Sequence, residues 1–129
     1  DLHSFPTRRS SDLRTLGGPM MGISQYTLDL PCVKGLSGIL CMTEEEAKPP
    51  VVTTCMKCGK CVDVCPVHLL PLYIQQRALK GLYDDAQSLH ALDCIECGSC
   101  SYVCPAKRPL VESIRLAKRE IRAKEQRVR

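Results

Sequence analysis

The chain has 129 residues, ten of them cysteine and only five aromatic (four Tyr, one Phe, no Trp). So short and aromatic-poor a chain cannot bury a large self-sufficient core, and metals or cross-links are the expected staples. Lysine and arginine outnumber aspartate and glutamate by 18 to 14, but the excess is local: Lys107–Arg129 holds nine basic and three acidic residues, whereas Arg14–Ala106 holds seven and nine. No apolar run approaches the ~18–20 residues that span a bilayer, and no apolar segment marks a secretory signal. Disulfides are therefore not expected, and the cysteine spacing is read as metal or redox chemistry.

Asp1–Leu13, DLHSFPTRRSSDL, is polar and turn-prone. It back-translates in full to a string resembling a common sequencing-library adapter. The expectation is an artefactual, disordered segment, with a native tail as the plainer alternative. His3 and Phe5 are then not native, and the native chain is expected to be a fragment lacking its N-terminal part.

From Arg14 to Leu40 the sequence is Gly-rich, with GGPMMG at Gly17–Gly22, KGLSGIL at Lys34–Leu40 and a short apolar stretch at Tyr26–Leu30. Short strands and tight turns are predicted. Glu44–Pro50 is charged and Pro-rich, and reads as a linker. Leu69–Leu79 predicts a helix with Pro71 in its first turn and Gly81 as its C-cap. A second helix begins at Asp84–Asp85, with Ala86, Leu89, His90 and Leu92 as its buried face. Pro109 starts a last helix. There Leu110, Ile114, Ala117 and Ile121 form an apolar stripe, Arg115, Lys118, Arg119, Arg122 and Lys124 form the opposite face, and the last turns are expected to fray.

The strongest signal is a duplication. Cys55, Cys58, Cys61 and Cys65 have the spacing C-x2-C-x2-C-x3-C and precede Pro66; Cys94, Cys97, Cys100 and Cys104 repeat it and precede Pro105. Gly59 and Gly98 occupy matching places, as do Val64 and Val103. Three closely spaced thiolates wrap three corners of a cubane cluster. The chain has then run past, so the fourth cysteine serves the other cluster. The expected ligand sets are Cys55, Cys58, Cys61 and Cys104 for one 4Fe-4S cluster, and Cys94, Cys97, Cys100 and Cys65 for the other. Gly59 and Gly98 free the loop backbone to approach the cluster sulfurs. Met56, Val62, Val64, Ile95 and Val103 are expected to shield the clusters. Cys32 and Cys41 stand outside the pattern and read as small buried apolar residues. His68 is a helix-start residue that could also donate a hydrogen bond near the second cluster. Tyr73, Tyr83 and Tyr102 read as packing residues, and no catalytic side-chain constellation is visible.

CMKCGKCVDVCPVHLLPLYI and LDCIECGSCSYVCPAKRPLVESIRLAK, together with GGPMMG and KGLSGIL, resemble the C subunit of the Rnf (Rsx) electron-transport complexes, over roughly Gly17 to Lys124. The resemblance implies a mainly α fold: an α-helical ferredoxin-like domain with two 4Fe-4S clusters, preceded by a truncated β-grasp-like remnant. It implies a remnant at residues 14–43, a linker at 44–50, the two-cluster domain at 51–109 and a basic amphipathic helix at 110–129. It further implies electron transfer between ferredoxin and NAD coupled to Na⁺ or H⁺ translocation. FMN and NAD(H) are expected only in the missing N-terminal part. The implied partners are the other subunits of the complex, on the cytoplasmic face of the bacterial inner membrane, with no nucleic acid. Cys32 departs from the pattern, where an apolar residue such as Val is expected.

Three rival readings remain. A soluble or quinone-linked dehydrogenase could use the same cluster domain, although GGPMMG would then lack a role. A zinc-stapled module could present its basic tail to nucleic acid, since Cys-x2-Cys pairs also bind zinc. That tail could also dock on a membrane partner or on anionic lipid, which is compatible with the first reading.

Overall fold

The computed structural model describes residues 13–25, 31, 34, 36–48 and 50–128. The chain divides into two compact units, Asp1–Pro50 and Val51–Arg129. The adapter-like segment up to residue 12, the apolar stretch at 26–30 and Cys32 lie outside the described residues.

The first unit is a three-stranded antiparallel sheet of β1 (Leu13–Leu16), β2 (Ile23–Gln25) and β3 (Ile39–Met42), ordered β2-β1-β3. Thr15 in the central strand pairs with Ser24 on one side and Leu40 on the other. GGPMMG forms the β1–β2 turn. Gly22 N–H donates to Gly18 C=O at 2.8 Å, and Gly17 N–H donates to Gly38 C=O at 2.8 Å. A Cβ at Gly22 would meet Thr15 Cγ2 at 2.2 Å and Gly18 O at 2.6 Å, so only glycine closes this turn. Within the segment read as a linker, Glu44–Ala47 forms a helical turn, α1. Its cause is a capping box: Glu46 N–H donates to Thr43 Oγ1 at 3.4 Å, and Thr43 N–H donates to Glu46 Oε2 at 3.0 Å.

The second unit is helical: α2 (Lys60–Asp63), α3 (Pro71–Leu79), α4 (Tyr83–Ser88), a 3-10 turn (Ala91–Asp93), α5 (Ser99–Tyr102) and α6 (Leu110–Val128). It is a structural repeat with an offset of thirty-nine positions. Adding that offset to the start of α2 gives the start of α5, and adding it to the start of α3 gives the start of α6. Left-handed backbone recurs in register as well: Lys57 and Glu96, Gly59 and Gly98, His68 and Lys107 all have positive φ.

Pro71 is the first residue of α3, where its absent N–H costs nothing. At the other end Gly81 is left-handed, Gly81 N–H donates to Ala78 C=O, and Leu82 N–H donates to Arg77 C=O. Those bonds make a Schellman motif, which stops the helix and aims the chain into α4. The core lies where α3, α4 and α6 meet. Ile74, Ile114 and Ile121 are buried there among Ala78, Ala86, Ala91 and Ala117, whose small side chains let the helices approach. Cys65 belongs to this core, and Cys100 and Cys104 join Ala106 and Leu110 in a second buried group.

Two expectations are corrected. His90 is not on the buried face of α4: it is exposed, left-handed, and 3.3 Å from Asp93 Oδ2. Leu89 and Leu92 pack against the core without it. Lys118 is not on the solvent face of α6 but buried, and Arg115 is mostly covered. α6 is helical to Val128, and near its end Lys124 bonds Asp84 at 2.6 Å and Gln87 bonds Glu125 at 3.3 Å, tying it to α4.

A candidate pair of metal centres

The eight repeat cysteines gather into two groups, each around its own cavity. Cys55, Cys58, Cys61 and Cys104 line the first, a cavity of about 320 Å³ shared with Gly59, Val62, Leu72 and Leu110. Cys94, Cys97, Cys100 and Cys65 line the second, with Gly98, Ile95, Val111 and Ile114. Each cavity thus takes three thiols from one repeat and the fourth from the other. The second is narrower, at about 20 Å³, so a cluster seated there must widen it. The donor set suits iron–sulfur clusters at both.

The loops are built to present N–H groups to sulfur. Lys57 and Glu96 adopt equivalent left-handed conformations, and their N–H groups donate to Cys55 Sγ at 3.4 Å and Cys94 Sγ at 3.3 Å. Gly59 and Gly98, with φ of 80° and 79°, start α2 and α5. Leu69 N–H donates to Cys65 Sγ at 3.3 Å. The sequence located the glycines but not Lys57 and Glu96, because a non-glycine residue gives no composition signal for positive φ.

Burial pushes the Cys61 and Cys94 thiols up, and the Cys100 thiol up to about 11. Hydrogen bonds from the Ser99 side chain and backbone hold Cys97 below the usual thiol range. The buried thiols therefore lose their protons only when a cation takes their place, so iron binding is coupled to proton release.

Not every expected shield lines a cavity. Val62 lines the first and Ile95 the second, but Met56 is exposed and lines neither. Val64 and Val103 are half-buried away from both linings. Tyr73 borders the first cavity while remaining half exposed. His68 is exposed and lines neither; its N–H donates to Cys65 C=O at 3.1 Å. Cys41 is exposed on β3 rather than buried.

An ion network that the sequence did not disclose braces the second site. Lys118 Nζ donates to Cys94 C=O at 2.7 Å and to Glu96 Oε1 at 2.6 Å, and Arg115 Nε donates to Glu96 Oε2 at 3.0 Å. Burial pushes the Glu96 carboxyl up, but the hydrogen bonds and charges of Lys118 and Arg115 together outweigh it and hold it below the usual carboxylate range. Lys118→Met removes both of its bonds and is expected to cost about 1–3 kcal/mol. Denaturant unfolding of the iron-loaded chain checks this, and an unchanged midpoint would show the network to be incidental.

Among the described residues, no group of three or more His, Cys, Asp or Glu side chains is gathered tightly enough for a single metal ion. A family model described as "4Fe-4S dicluster domain" matches residues 50–105. The C subunit of the Na(+)-translocating ferredoxin:NAD(+) oxidoreductase complex of Acetobacterium woodii is 60% identical over 105 residues, 81% of this chain and 24% of that protein. Over about four-fifths of its length the chain is similar to the C subunits of ion-translocating oxidoreductase complexes. The proton-translocating counterpart from Clostridium ljungdahlii is 50% identical over 108 residues, covering 83% of this chain and 24% of its own length. That of Methanosarcina acetivorans is 48% identical over 106 residues, covering 82% and 24%. The chain spans about a quarter of the length of these relatives. The zinc-stapled reading gives way to the dicluster domain.

Proposed function

We propose that this stretch of the Rnf-type C subunit is an electron relay holding two 4Fe-4S clusters, one on Cys55, Cys58, Cys61 and Cys104, the other on Cys94, Cys97, Cys100 and Cys65. The observation that carries it is the exchange of fourth cysteines between two repeat-related cavities. Such clusters, when bound, supply one-electron transfer without making or breaking bonds to side chains. The chain's own residues hold them, exclude water and aim N–H groups at sulfur. The two-cluster domain is read as residues 51–109, with the basic helix from 110 following it and the small sheet preceding it.

In the whole protein the relay connects a flavin and nicotinamide site, in the part of the polypeptide beyond this stretch, with other subunits of a ferredoxin:NAD oxidoreductase coupled to Na⁺ or H⁺ translocation. No helix among the described residues is long and apolar enough to cross a membrane. Association with the cytoplasmic face of the plasma membrane is read as running through partner subunits. Similarity to the Acetobacterium woodii protein over four-fifths of the chain favours this over a soluble or quinone-linked dehydrogenase.

Reductive titration tests the relay. The iron-loaded chain is expected to take up about two electrons, one per cluster, and to return them to a one-electron acceptor protein but not to NAD alone. An uptake of no electrons would refute the proposal.

A further inference from the structure

The repeat supplies an internal control, because the two cavities are lined by equivalent positions. Cys55, Cys58, Gly59, Cys61 and Leu72 at the first correspond to Cys94, Cys97, Gly98, Cys100 and Val111 at the second. The charges do not correspond. Lys57, Lys60 and Arg108 line the first cavity, and no acidic side chain does. At the thirty-nine-residue offset their counterparts are Glu96, Ser99 and Leu69. Leu69 lines the second cavity, whose lining contains no Lys, Arg, Asp or Glu. The contrast is sharpest at Lys57 and Glu96. They share one backbone conformation and one N–H to sulfur bond, yet carry opposite charges.

Resting on the two-cluster reading, we infer that Lys57, Lys60 and Arg108 make the first site the better electron acceptor of the two. One electron added to a cluster adds one negative charge. Cations beside it stabilise that charge, and an apolar wall does the opposite. The second site has apolar walls and buried Cys65 and Cys100, and beside it the Glu96 carboxylate offsets one of the two cations Arg115 and Lys118, leaving one net positive charge against the three cations that line the first cavity. The hydrogen bonds from Leu69 to Cys65 and from Ser99 to Cys97 act in the other direction. An N–H or O–H carries only a partial charge, however, and N–H bonds to sulfur occur at both sites, so the full charges decide. One electron then passes from the second site to the first, with no proton and no bond changed. The first site is also the outward one, since Cys58 is exposed whereas none of the four thiols at the second site is.

The test is a redox titration of the full iron-loaded chain followed by EPR, after iron and sulfide analysis. Cys58→Ser and Cys97→Ser mark which signal belongs to which site. The first-site signal is expected at the higher potential. The variant Lys57→Glu, Lys60→Ser, Arg108→Leu, which gives the first site the residues of the second, is expected to lower that potential and leave the other in place. Lys60→Ser alone, on an exposed position, provides the same reading if the triple variant fails to fold. Raising the salt is expected to narrow the gap, because Lys57 and Lys60 are exposed to screening. A second site that is reduced first, or a first-site potential indifferent to these changes with about eight iron retained, would overturn the inference and leave the two-cluster reading standing. Iron and sulfide well below that content in the unaltered chain would overturn both.

Discussion

Replacing Cys65 by serine is expected to abolish the second cluster and spare the first. In sequence Cys65 closes the run that begins at Cys55, and a contiguous assignment would give it to the first cluster. In the fold it is buried beside Cys94, Cys97 and Cys100. Serine nearly matches cysteine in shape, so the effect is carried by the lost thiolate rather than by packing. Iron is expected to fall from about eight to about four per chain, with the signals of the first cluster unchanged. Cys104→Ser is expected to do the converse. Loss of the first cluster's signals in Cys65→Ser would show that each run closes on itself.

Ile114→Ala carries the largest expected loss of stability. Ile114 is 1% exposed, packs with Cys65 and Ile74 in the core, and also lines the second cavity. Truncation removes buried methylenes and leaves a void between α3 and α6, which costs about 2–5 kcal/mol. Ile114→Val keeps most of the volume and is expected to cost about 0.5–1.5 kcal/mol. Denaturant unfolding of the iron-loaded variants checks the difference. The same void adjoins the second site, so Ile114→Ala is also expected to lose the second cluster faster in air than the first. Equal loss from both sites would separate core packing from cluster protection.

The repeat of cysteine spacing carries the proposed ligand sets, because cluster ligation imposes a fixed spacing on the chain, and the two cavities are lined by the same groups of thiols. The apolar stripe of α6 and the Pro71 and Gly81 boundaries were legible for a similar reason: periodicity and capping are local. Features that depend on tertiary partners were not. Lys118 reads as a solvated cation until Cys94 C=O and Glu96 arrive beside it from a distant loop. Gln75 carries no apolar signal in the sequence, yet it is fully buried, accepts from Arg108 Nε at 2.8 Å and donates to Pro109 C=O at 3.2 Å. His90 fits the helical period, but the helix ends before it. The α1 turn is a different kind of omission. Its T-x-x-E capping signal, Thr43 to Glu46, was present in the sequence but was outweighed by the prolines that follow.

The most direct measurement is iron, sulfide and zinc content of the anaerobically reconstituted chain, with the EPR spectrum after reduction. About eight iron and eight sulfide per chain, negligible zinc, and the signals of two spin-coupled neighbouring clusters are expected. About two zinc, no sulfide and no signal would contradict it and return the eight cysteines to a structural role.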